Sequence, residues 1–126
     1  MASAPSPVSL AEYMRTSYSP DCEYIDGVIV ERNVGQTKHA FTQGKLYRKI
    51  GDKVEAIGLF VLPEQRVRVS VARVRVPDVC VVAKIDKEII SEPPLLCVEI
   101  LPLDDRWSRT MPRSATTKLW KYHAFG

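Results

Sequence analysis

Two runs decide how this chain folds: V-R-V-P-D-V-C-V-V-A-K, residues 74–84, and P-P-L-L-C-V-E-I-L, residues 93–101. Each is an apolar, β-branched stretch of strand length, and each carries one acid, Asp78 in the first and Glu99 in the second. Runs so continuously apolar read as strands buried on both faces. A carboxylate at such a place needs compensation, because an isolated buried charge costs several kcal/mol or more, a large part of a small domain's stability. Two acids on neighbouring strands that converge on one divalent cation would supply it. A structural alternative fits the same residues: Asp78, directly after Pro77, can hydrogen-bond a turn at a strand start, and Glu99 can pair with an arginine.

Working back from this pair, the segment Q-R-V-R-V-S-V-A-R-V-R-V, residues 65–76, alternates Val67, Val69 and Val71 with polar residues, as a half-exposed strand does. Ala72-Arg73 interrupts the alternation and marks a tight connection into the Asp78 strand. Arg66, Arg68, Arg73 and Arg75 are expected to make one face of this ribbon basic, either a phosphate-binding surface or a charged guard on an exposed sheet. Before it, Leu59 to Leu62 reads as a strand. Residues 37–56 change period: Phe41, Leu46, Tyr47, Ile50 and Val54 recur at three- and four-residue steps, the pattern of an amphipathic helix, with Gly58 as its C-terminal stop. Lys45, Lys49 and Lys53 repeat every fourth residue on another face, a solvated stripe or a phosphate contact.

Nearer the N-terminus, Asp26-Gly27 between two alternating apolar runs signals a tight hairpin. Ser9 and Glu12 have capping-box spacing, placing a short helix over residues 10–16. Residues 1–8 are small and proline-rich and are expected to be disordered. Beyond Pro102 the chain turns polar, and Pro112 argues against a long helix before one that starts near Ser114 or Thr116.

Bulk properties agree with one folded domain. The 126 residues are 45% hydrophobic and 26% charged, with a net charge of +3, permissive of a nucleic-acid partner without requiring one. Cys22, Cys80 and Cys97 are odd in number and widely spaced, which fits reduced core thiols rather than a disulfide framework. No leader-like start and no membrane-length apolar stretch is present in the sequence, so a cytoplasmic protein that does not enter a membrane is the expectation.

Taken together, E-Y-I-D-G-V-I-V-E, the histidine His39 opening the long helix, R-V-P-D-V, V-E-I-L and K-L-W-K-Y-H-A-F-G resemble the putative restriction endonuclease family of the Uma type, within the PD-(D/E)XK nuclease superfamily. The resemblance spans residues 9–126 as a single domain. It implies an α/β fold: a restriction-endonuclease-like core with a mixed β-sheet, a long helix and a C-terminal helix, preceded by a β-hairpin. It further implies DNA as substrate and Mg²⁺, with Mn²⁺ as a substitute, held by Asp78, Glu99 and the backbone carbonyl of Ile100. Glu23 and His39 match supporting positions. Leu101 stands where the superfamily usually has its lysine, and the matching cation is Lys118 on the last helix, with Arg113 occupying the ungapped position. Pro102 replaces a customary serine. Family members usually continue with a strand beyond the glycine that is Gly126 here, so an open sheet edge is expected. The function expected is a metal-dependent endonuclease-type domain that hydrolyses DNA phosphodiester bonds, inactive if the further strand is required; the alternatives are a catalytically degenerate fold that binds DNA or a protein partner through its basic residues, and a structural remnant whose open edge pairs two copies into a homodimer.

Overall fold

The computed structural model describes residues 6–32 and 36–101. Its α/β architecture starts with α1 (Leu10–Met14), whose N-cap Ser9 accepts a hydrogen bond from the Glu12 amide at 3.1 Å, as the capping spacing requires. Ahead of it, Val8 is ordered rather than loose. Its N–H donates to the Gly27 carbonyl, and its own carbonyl accepts from the Tyr24 hydroxyl.

Strands β1 (Glu23–Ile25) and β2 (Val28–Val30) form the expected hairpin. Asp26 and Gly27 both take positive φ, 49° and 89°, the twist that a two-residue turn imposes and that glycine and aspartate tolerate. Helix α2 (Thr37–Val54) continues as a short 3-10 turn, Glu55–Ile57, and ends at Gly58 with φ 82°. Its inner stripe is His39, Gln43, Leu46, Ile50 and Val54, while Phe41, Tyr47 and Ile57 lie exposed. The buried Gly51 faces β3: a Cβ there would meet Val61 Cγ1 at 3.0 Å.

Five further strands follow, β3 (Phe60–Pro63), β4 (Val67–Ser70), β5 (Arg73–Arg75), β6 (Val79–Val82) and β7 (Leu96–Val98). Where one mixed sheet was expected, the described strands make two, ordered β2-β1-β5-β4 and β3-β6-β7, and every ladder is antiparallel. An isolated parallel bridge joins Val67 of β4 to Ile90, in the segment between β6 and β7. The apolar run 74–84 is therefore two strands in different sheets. The break falls at Val76-Pro77-Asp78, since Pro77 has no N–H to continue a ladder. Only β6 is buried along its whole length; β7 is partly exposed, which corrects the expectation of a second fully buried strand.

Two apolar clusters hold these layers together. Val67, Val69, Cys80, Val82 and Ile90 fill the space between the sheets, and Tyr13, Tyr24 and Val74 anchor α1 on the first sheet. Helix α2 covers β3 and β6. Cys22, Cys80 and Cys97 form no disulfide, and burial pushes the Cys80 thiol from its ordinary 9.0 up to about 12. The C-terminal helix, Lys118 and Arg113 lie outside the described residues.

Candidate active site

Asp78 sits where the chain passes from one sheet to the other, and its side chain is 4% exposed. The ladder between β6 and β7 pairs Val79 with Val98, so Asp78 and Glu99 each lie one residue beyond its last pair. The Ile100 N–H closes the arrangement by donating to Asp78 Oδ2 at 2.7 Å, which draws the Glu99-Ile100 peptide onto the carboxylate. Glu99 Oε1 is itself buried. The first acid and the peptide of the second are thus joined at one end of the second sheet.

Helix α2 fixes this corner from above. His39 and Gln43, four residues apart and so on one helical face, both reach Asp78. His39 Nε2 stands 3.2 Å from Oδ1, and Gln43 Nε2 donates to the backbone carbonyl of Asp78 at 2.9 Å. The i, i+4 spacing of these two polar residues on the inner stripe was a readable signal for Gln43.

Arg32 has no such signal. Two residues beyond β2, its side chain is 5% exposed and donates from Nη2 to Asp78 Oδ1 at 2.8 Å. Its Nη1 lies 3.8 Å from Glu64 Oε1. Glu64 holds a left-handed turn, φ 49°, and its N–H donates to the Asp78 carbonyl. The compensation that a buried Asp78 demands is thus supplied within the protein by a guanidinium, a charge-assisted bond among the stronger kinds available.

Magnesium takes hard oxygen donors and keeps several waters, so that one or two carboxylates suffice. Asp78, Glu99 and the backbone carbonyl of Ile100 are donors of that type, and the Ile100 amide lies against Asp78. Among the described residues no three or more His, Cys, Asp or Glu side chains cluster as a metal site, leaving those two acids as the side-chain donors. The guanidinium of Arg32 stands on the same carboxylate.

The other anticipated site residues play different parts. Glu23 is buried, and its Oε2 accepts the Val76 N–H at 2.7 Å where the chain leaves β5; its Oε1 lies 3.6 Å from Arg75 Nη1. That position secures the sheet junction. The four ribbon arginines do not share a face, because β4 pairs with β5 through Val67–Arg75 and Arg68–Val74. Arg66 and Arg68 fall on the α1 side, and Arg73 and Arg75 on the other. Arg66 turns inward: it grips Asp21 through two bonds of 2.7 and 2.8 Å, donates to the Tyr13 and Thr16 carbonyls, and lies 4.1 Å over the Tyr13 ring. The Asp21 bond raises its pKa. Arg68 folds back on the Ser70 and Val71 carbonyls, and Arg73 pairs with Asp26. Lys45 and Lys49 are exposed. At 100° per residue, Lys45 projects about 200° around α2 from Gln43, on the side away from Asp78.

The profile of one protein family, Uma2, described as "Putative restriction endonuclease", matches residues 10–126. No curated protein matches. Among solved structures, the chain is similar to a crystal structure described as a putative nuclease belonging to DUF820 from Anabaena variabilis ATCC 29413. The TM-score is 0.76 at 21% identity, over 95% of this chain and 70% of that one, a likeness of fold.

Proposed function

The chain belongs to the Uma2 family of putative restriction endonucleases, and from that premise we propose that it is a metal-dependent endonuclease-type domain that hydrolyses DNA phosphodiester bonds at Asp78 and Glu99. The observation that carries this reading is the Ile100 N–H bond to Asp78 Oδ2, which brings the second acid's peptide against the first acid. Mg²⁺, or Mn²⁺ in its place, is the ion of this proposal, with Asp78, Glu99 and the Ile100 carbonyl as its holders. When bound, it supplies a water of lowered pKa and positive charge for the phosphate.

The chain's own residues do the positioning. Gln43 anchors the Asp78 backbone and the Ile100 amide orients its carboxylate, so the acid is held in one setting before any substrate arrives. His39, whose Nε2 lies 3.2 Å from Oδ1, is proposed to support the site from the α2 side. Lys118, with Arg113 as the alternative, is proposed as the cation that offsets charge in the transition state. The exposed Lys45 and Lys49 are proposed to meet the DNA backbone without reading sequence. No described helix is long and apolar enough to cross a membrane. A cytoplasmic setting and a homodimer paired along a sheet edge belong to the same proposal.

A second reading, a DNA-binding or protein-interaction module of the same fold that does not cleave, is favoured by Arg32, which neutralises Asp78 without any ion. Supercoiled plasmid incubated with the protein and Mg²⁺ or Mn²⁺ separates the two. The first reading expects nicking that Asp78→Asn and Glu99→Gln each abolish while DNA binding persists. Salt-sensitive DNA binding with no nicking in either metal establishes the second.

A further inference from the structure

We propose that Arg32 is a resident cation of the Asp78 site: it occupies the carboxylate until a divalent ion arrives, and it then swings onto Glu64. The inference rests on the metal-dependent reading above and adds a device to it.

Three features of the guanidinium point this way. Its Nη2 is spent on Asp78 Oδ1 at 2.8 Å. Its Nη1 is buried, forms no hydrogen bond among the described residues, and lies 3.8 Å from Glu64 Oε1. A buried guanidinium normally fills its donor positions, so one satisfied arm beside one reaching arm describes a side chain stationed between two carboxylates. A closer approach to Glu64 would satisfy the second arm.

The surroundings fix everything except Arg32. Asp78 is tied through its carbonyl by Gln43 and through Oδ2 by the Ile100 amide. Glu64 is tied to the same carbonyl by its own N–H, so its side chain stays beside the site whichever way Arg32 turns. At 40% exposure it can receive the guanidinium while remaining partly solvated. In the shifted arrangement each cation keeps a carboxylate: the dication has Asp78, and Arg32 has Glu64. With Arg32 still on Asp78, a dication would meet like charge across one carboxylate, which weakens its binding. Arg32 and metal therefore compete, and Glu64 sets how readily Arg32 yields.

Calorimetric titration of the whole chain with Mn²⁺ tests this on four proteins: wild type, Arg32→Gln, Glu64→Gln and the double variant. Arg32→Gln is expected to tighten Mn²⁺ at least tenfold. Glu64→Gln is expected to weaken it severalfold in wild type and to leave it unchanged once Arg32 is replaced. Equal or weaker Mn²⁺ affinity in Arg32→Gln overturns the competition, and a Glu64→Gln effect of the same size in both backgrounds overturns the swing, since Glu64 would then act on the ion directly. If wild type binds Mn²⁺ as tightly as Arg32→Gln, the metal site stands and only the Arg32 device falls. If neither binds it, the metal-dependent reading fails first. Should Arg32→Gln not fold, the wild-type chain still decides: in ¹⁵N-arginine-labelled protein, the Arg32 side-chain resonance, assigned with Arg32→Lys, is expected to move on saturation with Mg²⁺. A signal unmoved by saturating Mg²⁺ overturns the proposal.

Discussion

Replacing Asp78 by asparagine removes one negative charge and turns one acceptor oxygen into a donor. Two groups now donate to this carboxylate, Arg32 Nη2 on Oδ1 and the Ile100 N–H on Oδ2, and an amide has only one oxygen to offer them. One donor must therefore face an NH₂ group, and the 5% exposed Arg32 is left with its charge uncompensated. Breaking a buried pair by removing one partner costs about 3–5 kcal/mol. The partly exposed Glu64, 3.8 Å from Arg32, recovers some of this, so a loss of about 3 kcal/mol is expected, or about 10–15 °C in melting temperature for a domain of this size. Urea unfolding at pH 7 with unchanged m-value measures it. Asp78→Asn combined with Arg32→Gln should regain at least half of the loss, because the orphaned charge goes too. An Asp78→Asn protein as stable as wild type, or more so, would refute the pairing of Asp78 with Arg32 as the source of its tolerance. Nicking assays on Asp78 variants should accordingly be run where circular dichroism shows the variant folded.

Arg66→Met should cost about 3 kcal/mol, since it forfeits a bidentate charged pair and the stacking on Tyr13; DNA affinity of the folded variant, read by fluorescence anisotropy, should not change. Lys45→Ala with Lys49→Ala should lower the slope of log affinity against log salt by about 0.9 for each lysine that meets a phosphate, and an unaltered slope would remove α2 from the DNA surface. Because Cys80 ionises near 9.0 when exposed and only at about 12 in the fold, the unfolded chain loses its proton first as pH rises. Stability should then fall above pH 9 by at most about 1.4 kcal/mol per unit from this group. Urea melts at pH 8.5 and 10 should show a shallower fall for Cys80→Ala, and an identical fall in both proteins would contradict the burial argument.

Local chemistry was legible wherever it acts over a few residues. Ser9 and Glu12 specified the α1 cap, Asp26-Gly27 the hairpin, and Gly58 the end of α2, because each solves a backbone problem that its neighbours in sequence create. That the Asp78 strand lies beside the Glu99 run was also legible, from two adjacent apolar runs. Periodicity could not show that the run 74–84 changes sheets at Pro77, because both halves are apolar and only pairing distinguishes them. For the same reason the ribbon arginines were assigned to one face: the register that divides them is set by the turn at Val71-Ala72 and a shift between Arg68 and Ser70. Arg32 was invisible, since an arginine after a valine-rich strand reads as surface until a buried carboxylate is found 46 positions away.

The convergence of Asp78, Glu99 and Ile100 is tested most directly by paramagnetic broadening of the backbone amide spectrum on titration with Mn²⁺ at substoichiometric amounts. The account expects the amides of Asp78, Ile100 and His39 to broaden first, together and with saturation at one ion per chain. Broadening centred elsewhere, for instance on the acidic loop around Asp86 to Glu92, with Ile100 and His39 left sharp, would contradict it.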